Sequence, residues 1–433
     1  MEGKGACGRI PEALRRWISI LGASRSGRLS TTFVELLLGA LMADRGWIAA
    51  AFPAIGARRS WKAYFWAIEK GKLRLLAPIR ALCSIAAEAT AGERCRVFAI
   101  DDTFIPRSTD KAPGSVVTHQ HTKKQNRPEY MPGQTLVVLA AVVRGDSFER
   151  AVPLAASLPF AKGNGGKIRS AMVMIRAISG AFPGPKTLVA DAWYMRANLI
   201  GTALRFGFRC VGQVRGDTVP YEAPPSRLPG TKGRPRKKGA RIDPESLPLT
   251  APIGAIPLWS GRTMRWRTAV CLAGFLGLRK VRAVWAEMMD PDEPGRWTKP
   301  RLLISTDPTM SALEILRVSA RRWTIESLFQ ALKDGGGLHE MWMQGRRALI
   351  RWIHVRLAAM ALAQMITLRL GSDILGALKR MGWRKALRPT AGMVRIALPM
   401  LFGGDAIHAL WNPKSREFGA PKRSTEPILL PPV

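Results

Sequence analysis

Three acidic positions far apart in the chain, Asp102, Asp191 and Glu326, stand in settings suited to holding divalent cations. Asp102 follows the apolar run Val97-Phe98-Ala99-Ile100, and Asp191 follows Thr187-Leu188-Val189-Ala190, so both are expected where strands end. In open α/β sheets ligands gather at the carboxyl ends of strands, and Mg2+ takes oxygen ligands from one or two carboxylates plus substrate phosphates. For either aspartate alone, capping the next turn is the simpler role. Asp101 competes with Asp102, because adjacent strand residues face opposite sides and only one can point into a site. The third acid lies in Arg322-Trp323-Thr324-Ile325-Glu326-Ser327-Leu328-Phe329-Gln330-Ala331-Leu332-Lys333. At about 100° per residue, Arg322, Glu326 and Lys333 fall near 0°, 40° and 20°, on one narrow stripe. Ile325, Leu328, Phe329 and Leu332 form the neighbouring apolar face. A plain i,i+4 ion pair on a solvated face, worth roughly 0.2–0.5 kcal/mol, would also explain Arg322 and Glu326. Glu314 and Asp334 are alternative third acids; Glu314 lacks bracketing cations, and Asp334 sits at the expected helix end.

These acids need strands and a helix to place them. Residues 1–92 read as helical from apolar spacings of three and four in Leu14–Leu21 and Phe33–Met42. Within them, Arg59, Lys62, Trp61 and Trp66 mix bases with aromatics, as a small helical DNA-reading module would; a basic face over an aromatic core fits equally. From Arg94 the texture changes to strands: Val97–Ile100, Leu136–Val143 and Phe148–Leu154. A helix (Lys167–Ile178), a strand (Thr187–Ala190), a helix (Met195–Phe206) and a strand (Cys210–Val214) follow. This order implies a mixed sheet flanked by helices. The predicted divisions are a helical DNA-binding domain at 1–92, a first catalytic part at 93–215 and a β-rich insertion with a basic loop at 216–306. The last catalytic helices occupy 307–380, and a C-terminal region at 381–433 ends in a partly disordered Pro-rich tail. Asp334-Gly335-Gly336-Gly337 is expected to end a helix with a left-handed cap.

Composition narrows the partner. Lys and Arg number 67 against 31 Asp and Glu, a net charge of +36 spread along all 433 residues. A folded enzyme with such self-repulsion points to a polyanion, since neutralising phosphates releases counterions. The five cysteines, Cys7, Cys83, Cys95, Cys210 and Cys271, contain no C-x-x-C pair, which suits a reducing compartment better than a disulfide framework or zinc knuckle. The apolar stretch Phe33–Phe52 is broken by Glu35, Asp44 and Arg45, too interrupted to span a bilayer. A cytoplasmic protein with no membrane partner is expected.

The trio Ile100-Asp101-Asp102-Thr103, Val189-Ala190-Asp191-Ala192 and Arg322…Glu326…Lys333 resembles the DDE transposases of bacterial insertion sequences. More narrowly it resembles the branch with a tyrosine–arginine–glutamate–lysine signature around the last acid. Arg322, Glu326 and Lys333 match that spacing, whereas Ser319 stands at the tyrosine position and removes one expected phosphate-contacting hydroxyl and ring. The resemblance covers about residues 95–370. It implies a ribonuclease H-like α/β fold with a β-rich insertion before the last acid, and Asp102, Asp191 and Glu326 as metal ligands. Asp102 is preferred to Asp101 because the family places its first acid directly before the threonine. It further implies two Mg2+ ions, with Mn2+ as a substitute, and cleavage of double-stranded DNA at terminal inverted repeats followed by joining to target DNA. Arg322 and Lys333 would hold phosphates, and a homodimer would form on synapsed ends in a bacterial, nucleoid-associated setting. A ribonuclease H-like nuclease without strand transfer, or an inactive DNA-binding derivative, are the rival readings.

Secondary motifs carry less. Lys232-Gly233-Arg234-Pro235-Arg236-Lys237-Lys238 resembles the Arg-Pro core of minor-groove hooks, with a solvated basic linker as the plain alternative. Trp297 could stack on an unpaired base, although a core or surface role is simpler. Lys162-Gly163-Asn164-Gly165-Gly166-Lys167 fails as a phosphate loop, because Ala161 and Ile168 occupy required positions. His119-Gln120-His121 has no further ligand at metal spacing.

Overall fold

The computed structural model describes residues 10–25, 27–57, 59–119, 128–160, 165–227, 229–230, 232–254, 262–379, 388–402 and 410–419. Residues 161–164, part of the stretch that fails as a phosphate loop, Gln120, His121 and the tail beyond 419 lie outside these residues. Helices α1 (Glu12–Ala23), α2 (Arg28–Met42), α3 (Ile48–Ala54), α4 (Trp61–Glu69) and α5 (Leu76–Ala89) come first. Strands β1 (Arg96–Pro106), β2 (Ser115–His119), β3 (Tyr130–Arg144) and β4 (Glu149–Ser157) follow, then α6 (Gly165–Ile178), β5 (Lys186–Ala190), α7 (Ala197–Arg205) and β6 (Phe208–Gln213). Next come β7 (Pro220–Tyr221), β8 (Met264–Ala273), β9 (Arg279–Met288), β10 (Arg301–Ser305), α8 (Ala312–Ala320) and α9 (Thr324–Asp334). The chain closes with α10 (Arg346–Arg369), α11 (Gly371–Lys379), α12 (Ala391–Leu401), β11 (Trp411–Asn412) and β12 (Glu417–Phe418).

Two compact units result. One comprises Met1–Ile85, Ile105–Gly133 and Gln330–Val433. Its spine is α10, which is long and apolar enough to cross a membrane but is buried against its neighbours. Apolar burial alone would leave Arg356 stranded in this helix. It donates instead to the carbonyls of Gly336 (2.7 Å), Ala40 (3.0 Å) and Arg45 (3.0 Å), and burial lowers its pKa to about 10. Gly337 takes the left-handed φ of +61° just after α9, as the triple glycine foretold. β11 pairs with β12, and the Phe418 amide donates to the Ser19 hydroxyl of α1 at 2.8 Å.

The other unit, Ala86–Phe104 and Gln134–Phe329, is an α/β layer structure. Its sheet runs β4-β3-β1-β5-β6-β10-β9-β8-β7. Its first five strands follow the ribonuclease H-like order, with β5 parallel to both β1 and β6. The apolar runs form its centre: Val97–Ile100, Leu136–Val143 and Leu188–Ala190 are buried. Such strands are covered on both faces, which is why they read as continuous rather than alternating. Phe98 meets Phe182 and Phe208 edge-on, with centroids 4.8 and 5.3 Å apart. The β-rich insertion is not a separate sheet: β10 pairs antiparallel with β6, and β9, β8 and β7 continue outward from it.

Two boundaries differ from the sequence reading near the acids. β1 continues to Pro106, so Asp101 and Asp102 lie within a strand; only its parallel ladder with β5 stops at Ile100–Ala190. The helix expected across Arg322 is interrupted by a 3-10 turn, Arg321–Trp323, between α8 and α9. Arg321 explains the tightening. Its buried guanidinium reaches Glu149 (2.9 Å) and Glu93 (3.2 Å), fastening the turn to β4 and the segment before β1. Removing one member of a buried ion network strands its partners, at a cost of about 3–5 kcal/mol. Arg321→Met should therefore lower unfolding stability in urea by about that amount. Adding Glu93→Gln and Glu149→Gln should recover most of it; no loss in the single variant would show that the turn is not anchored there.

Candidate active site

The register decides which acids meet. β1 and β5 pair in parallel from Arg96–Lys186 through Ile100–Ala190. Beyond the end of that ladder, Asp191 follows β5 and lies near enough to Asp101 for its charge to raise the Asp101 pKa. Asp102 must face the other way. Asp191 ends its strand in an Asx turn, accepting the amides of Trp193 and Tyr194, each at 3.0 Å.

Glu326 arrives in the first turn of α9, next to the 3-10 turn that carries Arg322. The Arg322 Nη1 donates to Asp101 Oδ2 at 2.7 Å and to Glu326 Oε1 at 3.2 Å. One guanidinium thus ties the strand acid to the helix acid. Glu326 is about half exposed at 48%, whereas Asp101 and Arg322 are sheltered at 14% and 15%. Trp323 lies beside them, half-exposed, with the Arg322 guanidinium 4.8 Å from its ring centre.

Asp101 has a raised pKa, and burial is its main cause. Burial pushes its carboxyl up to about 7, the neighbouring Asp191 adds to this, Arg322 opposes it, and Glu326 raises it further. Asp102 has different company. Its carboxylate accepts from the Tyr194 hydroxyl at 2.8 Å and the Lys167 ammonium at 2.9 Å. Burial raises the pKa of the Tyr194 phenol, with Asp102 next in importance, so the hydroxyl remains a donor. Lys167 also sits 4.9 Å from the Trp193 ring centre. Asp102 therefore braces α6 against the turn that presents Asp191.

The sequence chose Asp102, Asp191 and Glu326; the structure brings Asp101, rather than Asp102, to Arg322 and Glu326. Lys167, Tyr194 and Arg321 were missed, having no motif spacing to mark them. Of the other expected residues, Arg59 is turned inward: it donates to Thr32 Oγ1 (2.8 Å) and pairs with the buried Glu35. Its charge balances a buried carboxylate, whereas Lys62 stands exposed on α4. Trp297 is half-buried under the Arg265 guanidinium, 4.2 Å from its ring centre. Lys333 is half-buried on α9, and Ser319 lies in the last turn of α8. Ser311 caps the start of α8 by accepting the Glu314 amide, which puts Glu314 in the first turn of α8, and Asp334 accepts from Gln330, so neither acid joins those above.

Among the described residues, no three carboxylate, imidazole or thiolate groups are gathered closely enough to hold a metal ion as they stand. The donor set nevertheless suits hard cations. Asp101, Asp191 and Glu326 offer only oxygen, the donor type that Mg2+ takes.

The profile of the DDE superfamily endonucleases matches residues 42–275, just over half of the chain and inclusive of Asp101, Asp102 and Asp191. No curated protein matches. Among solved structures, a piggyBac transposase synaptic complex with hairpin DNA is similar at 11% identity, over 90% of this chain and 77% of that one, with a TM-score of 0.39. The NurA nuclease from Sulfolobus solfataricus is similar at 9% identity, over 53% and 73%, with a TM-score of 0.23. At such scores neither likeness carries an argument about this chain.

The raised Asp101 pKa makes a stability prediction. Between about pH 4 and 7 the folded state holds a proton that the unfolded state has lost, so unfolding stability falls as pH rises through this window. The penalty is absent below about pH 4 and complete above about 7. Asn mimics the protonated acid, so Asp101→Asn should stabilise the protein at pH 8, on the order of 2–4 kcal/mol for a shift from 3.8 to about 7. That gain should fade toward pH 4 in urea unfolding curves; a gain independent of pH would contradict the assignment.

Proposed function

Because the chain belongs to the DDE superfamily endonucleases, we propose that it is a transposase. It binds the terminal inverted repeats of its own element, cleaves the DNA there and joins the freed 3′-hydroxyl ends to target DNA. The observation that supports the reading is the Arg322 guanidinium that joins Asp101 to Glu326, with the charge of Asp191 acting on the same Asp101 carboxyl. We assign these three acids to metal binding, in place of the trio containing Asp102. Asp101, Asp191 and Glu326 would hold two divalent cations, Mg2+ or Mn2+ in its stead, which would supply stabilisation of the charge developing on the phosphodiester oxygens.

The chain's own groups hold the acids and the DNA. Asp191 is fixed by two backbone amides, which leaves its orientation independent of side-chain neighbours. Asp102 clamps Tyr194 and Lys167 and so keeps that turn in place; it acts by positioning. Arg322 donates to both Asp101 and Glu326. Its planar fork also suits a phosphate, and we assign it that contact when DNA is bound, with Lys333 further along α9 as a second point charge. The net charge of +36 supports DNA as the partner, with affinity falling steeply as salt rises. Bringing two element ends together calls for a homodimer on DNA.

Incubating the purified protein with Mg2+, duplexes carrying the element ends and a supercoiled target plasmid tests the reading. Nicks at the ends and joined products are expected. Asp101→Asn, Asp191→Asn and Glu326→Gln should each lower the rate on the order of a thousandfold or more. Asp102→Asn should cost about 10–100-fold, as loss of an outer support does. Nicks without joining would reduce the protein to a nuclease; binding without nicks, in wild type as in Glu326→Gln, would make it an inactive DNA-binding derivative.

A further inference from the structure

The densest basic run, Lys232 to Lys238, is used by nothing described above. All its cations are exposed, and Arg234, Arg236 and Lys237 pair with no carboxylate among the described residues. Both ends of the run are fixed. At the first, Arg227 Nη2 donates to the Gly233 carbonyl at 3.1 Å, and Gly233 adopts a φ of +93° that favours glycine. At the second, Lys238 Nζ lies 3.5 Å from the centre of the Tyr221 ring. The chain then runs along β7: the Gly239 amide donates to Glu222 (3.0 Å), Glu222 to Ala240 (2.9 Å) and Ile242 to Pro220 (3.1 Å). Gly239 permits this close return, because a Cβ there would lie 2.5 Å from the Ala223 carbonyl oxygen. The run is therefore a basic arm tethered at the outer end of the sheet order, where β7 lies.

Its chemistry selects one kind of surface. A merely electrostatic linker needs cations only, in any order. Here Arg234 and Arg236 flank Pro235, and Gly233 precedes them, so the backbone between the cations is slim. The minor groove is only about 6 Å wide, and an extended slim backbone can enter where a helix cannot. A·T tracts narrow the groove and deepen its negative potential, which draws in arginine in particular. Pro235 has a fixed φ and no N–H, so ordering the arm costs less and leaves no donor unpaired there. Seven extended residues at about 3.3 Å each span roughly 20 Å, close to six base pairs.

We infer that Lys232–Lys238 is a minor-groove arm that seats in A·T-rich duplex DNA. The inference deepens the proposed function by naming a DNA class, and rests on it only in taking duplex DNA as the partner. It is tested without Mg2+, by fluorescence anisotropy of the full-length protein on short duplexes with an A·T-rich or G·C-rich core. The ratio of the two affinities is the readout, because other basic surfaces add to both. An A·T preference of roughly tenfold is expected, removed by netropsin, and absent in the double variant R234A/R236A. The exposed arm should leave thermal unfolding of that variant unchanged. Equal affinity for both duplexes, indifference to netropsin, A-form RNA competing as well as A·T DNA, or a preserved preference in R234A/R236A would each overturn the inference. Because nicking is not measured, failure here leaves the nuclease reading standing. Conversely, an A·T preference in a protein that never nicks sinks that reading alone.

Discussion

A buried carboxylate needs a charged partner, and in the α/β unit one guanidinium, Arg322, serves both the sheltered Asp101 and the half-exposed Glu326. Two like charges about 4 Å apart interact by about 4 kcal/mol at an effective dielectric near 20. The apolar strands and their ladders fix the backbone positions first, and the acids are carried along. Arg322 then supplies one positive charge to two of them, while burial first, and the neighbouring acids after it, raise the Asp101 pKa.

The support around the acids is divided among elements distant in sequence. Arg321 fastens the 3-10 turn through Glu93 and Glu149, so that Arg322 and Glu326 enter at a set angle. Lys167 from α6 and Tyr194 from the turn after β5 converge on Asp102. The two neighbouring aspartates of β1 thus serve opposite faces of one strand. One meets the acid cluster, and the other holds the frame that positions it. Substituting either would harm a reaction at this site, but by different physical routes.

Much of this frame was legible in the sequence. The continuous apolar runs of β1, β3 and β5 announce a sheet covered on both sides, and the Arg322–Glu326 spacing announces a bracketed acid on a helix. The choice between Asp101 and Asp102 was not legible. It depends on the register between two strands about ninety residues apart, and a one-residue slip reverses which acid points inward. The interruption at Arg321 was hidden for a similar reason, since its partners Glu93 and Glu149 are contributed by remote segments. The insertion strands were placed by their composition, but nothing local says that β10 joins the edge of β6. Arg59 misled because a cation beside aromatics reads as a surface feature until its buried partner, Glu35, is known. Short pieces such as β2 and the β11–β12 pair carry too few residues for a period to show.

The central claim is that Asp101, rather than Asp102, completes the cation cage with Asp191 and Glu326. Anomalous diffraction from crystals of the DNA complex containing Mn2+ would test it most directly. The account predicts manganese peaks within coordinating distance of Asp101, Asp191 and Glu326, with Asp102 still bound to Tyr194 and Lys167. Peaks coordinated by Asp102, with Asp101 facing away from the metal, would contradict it.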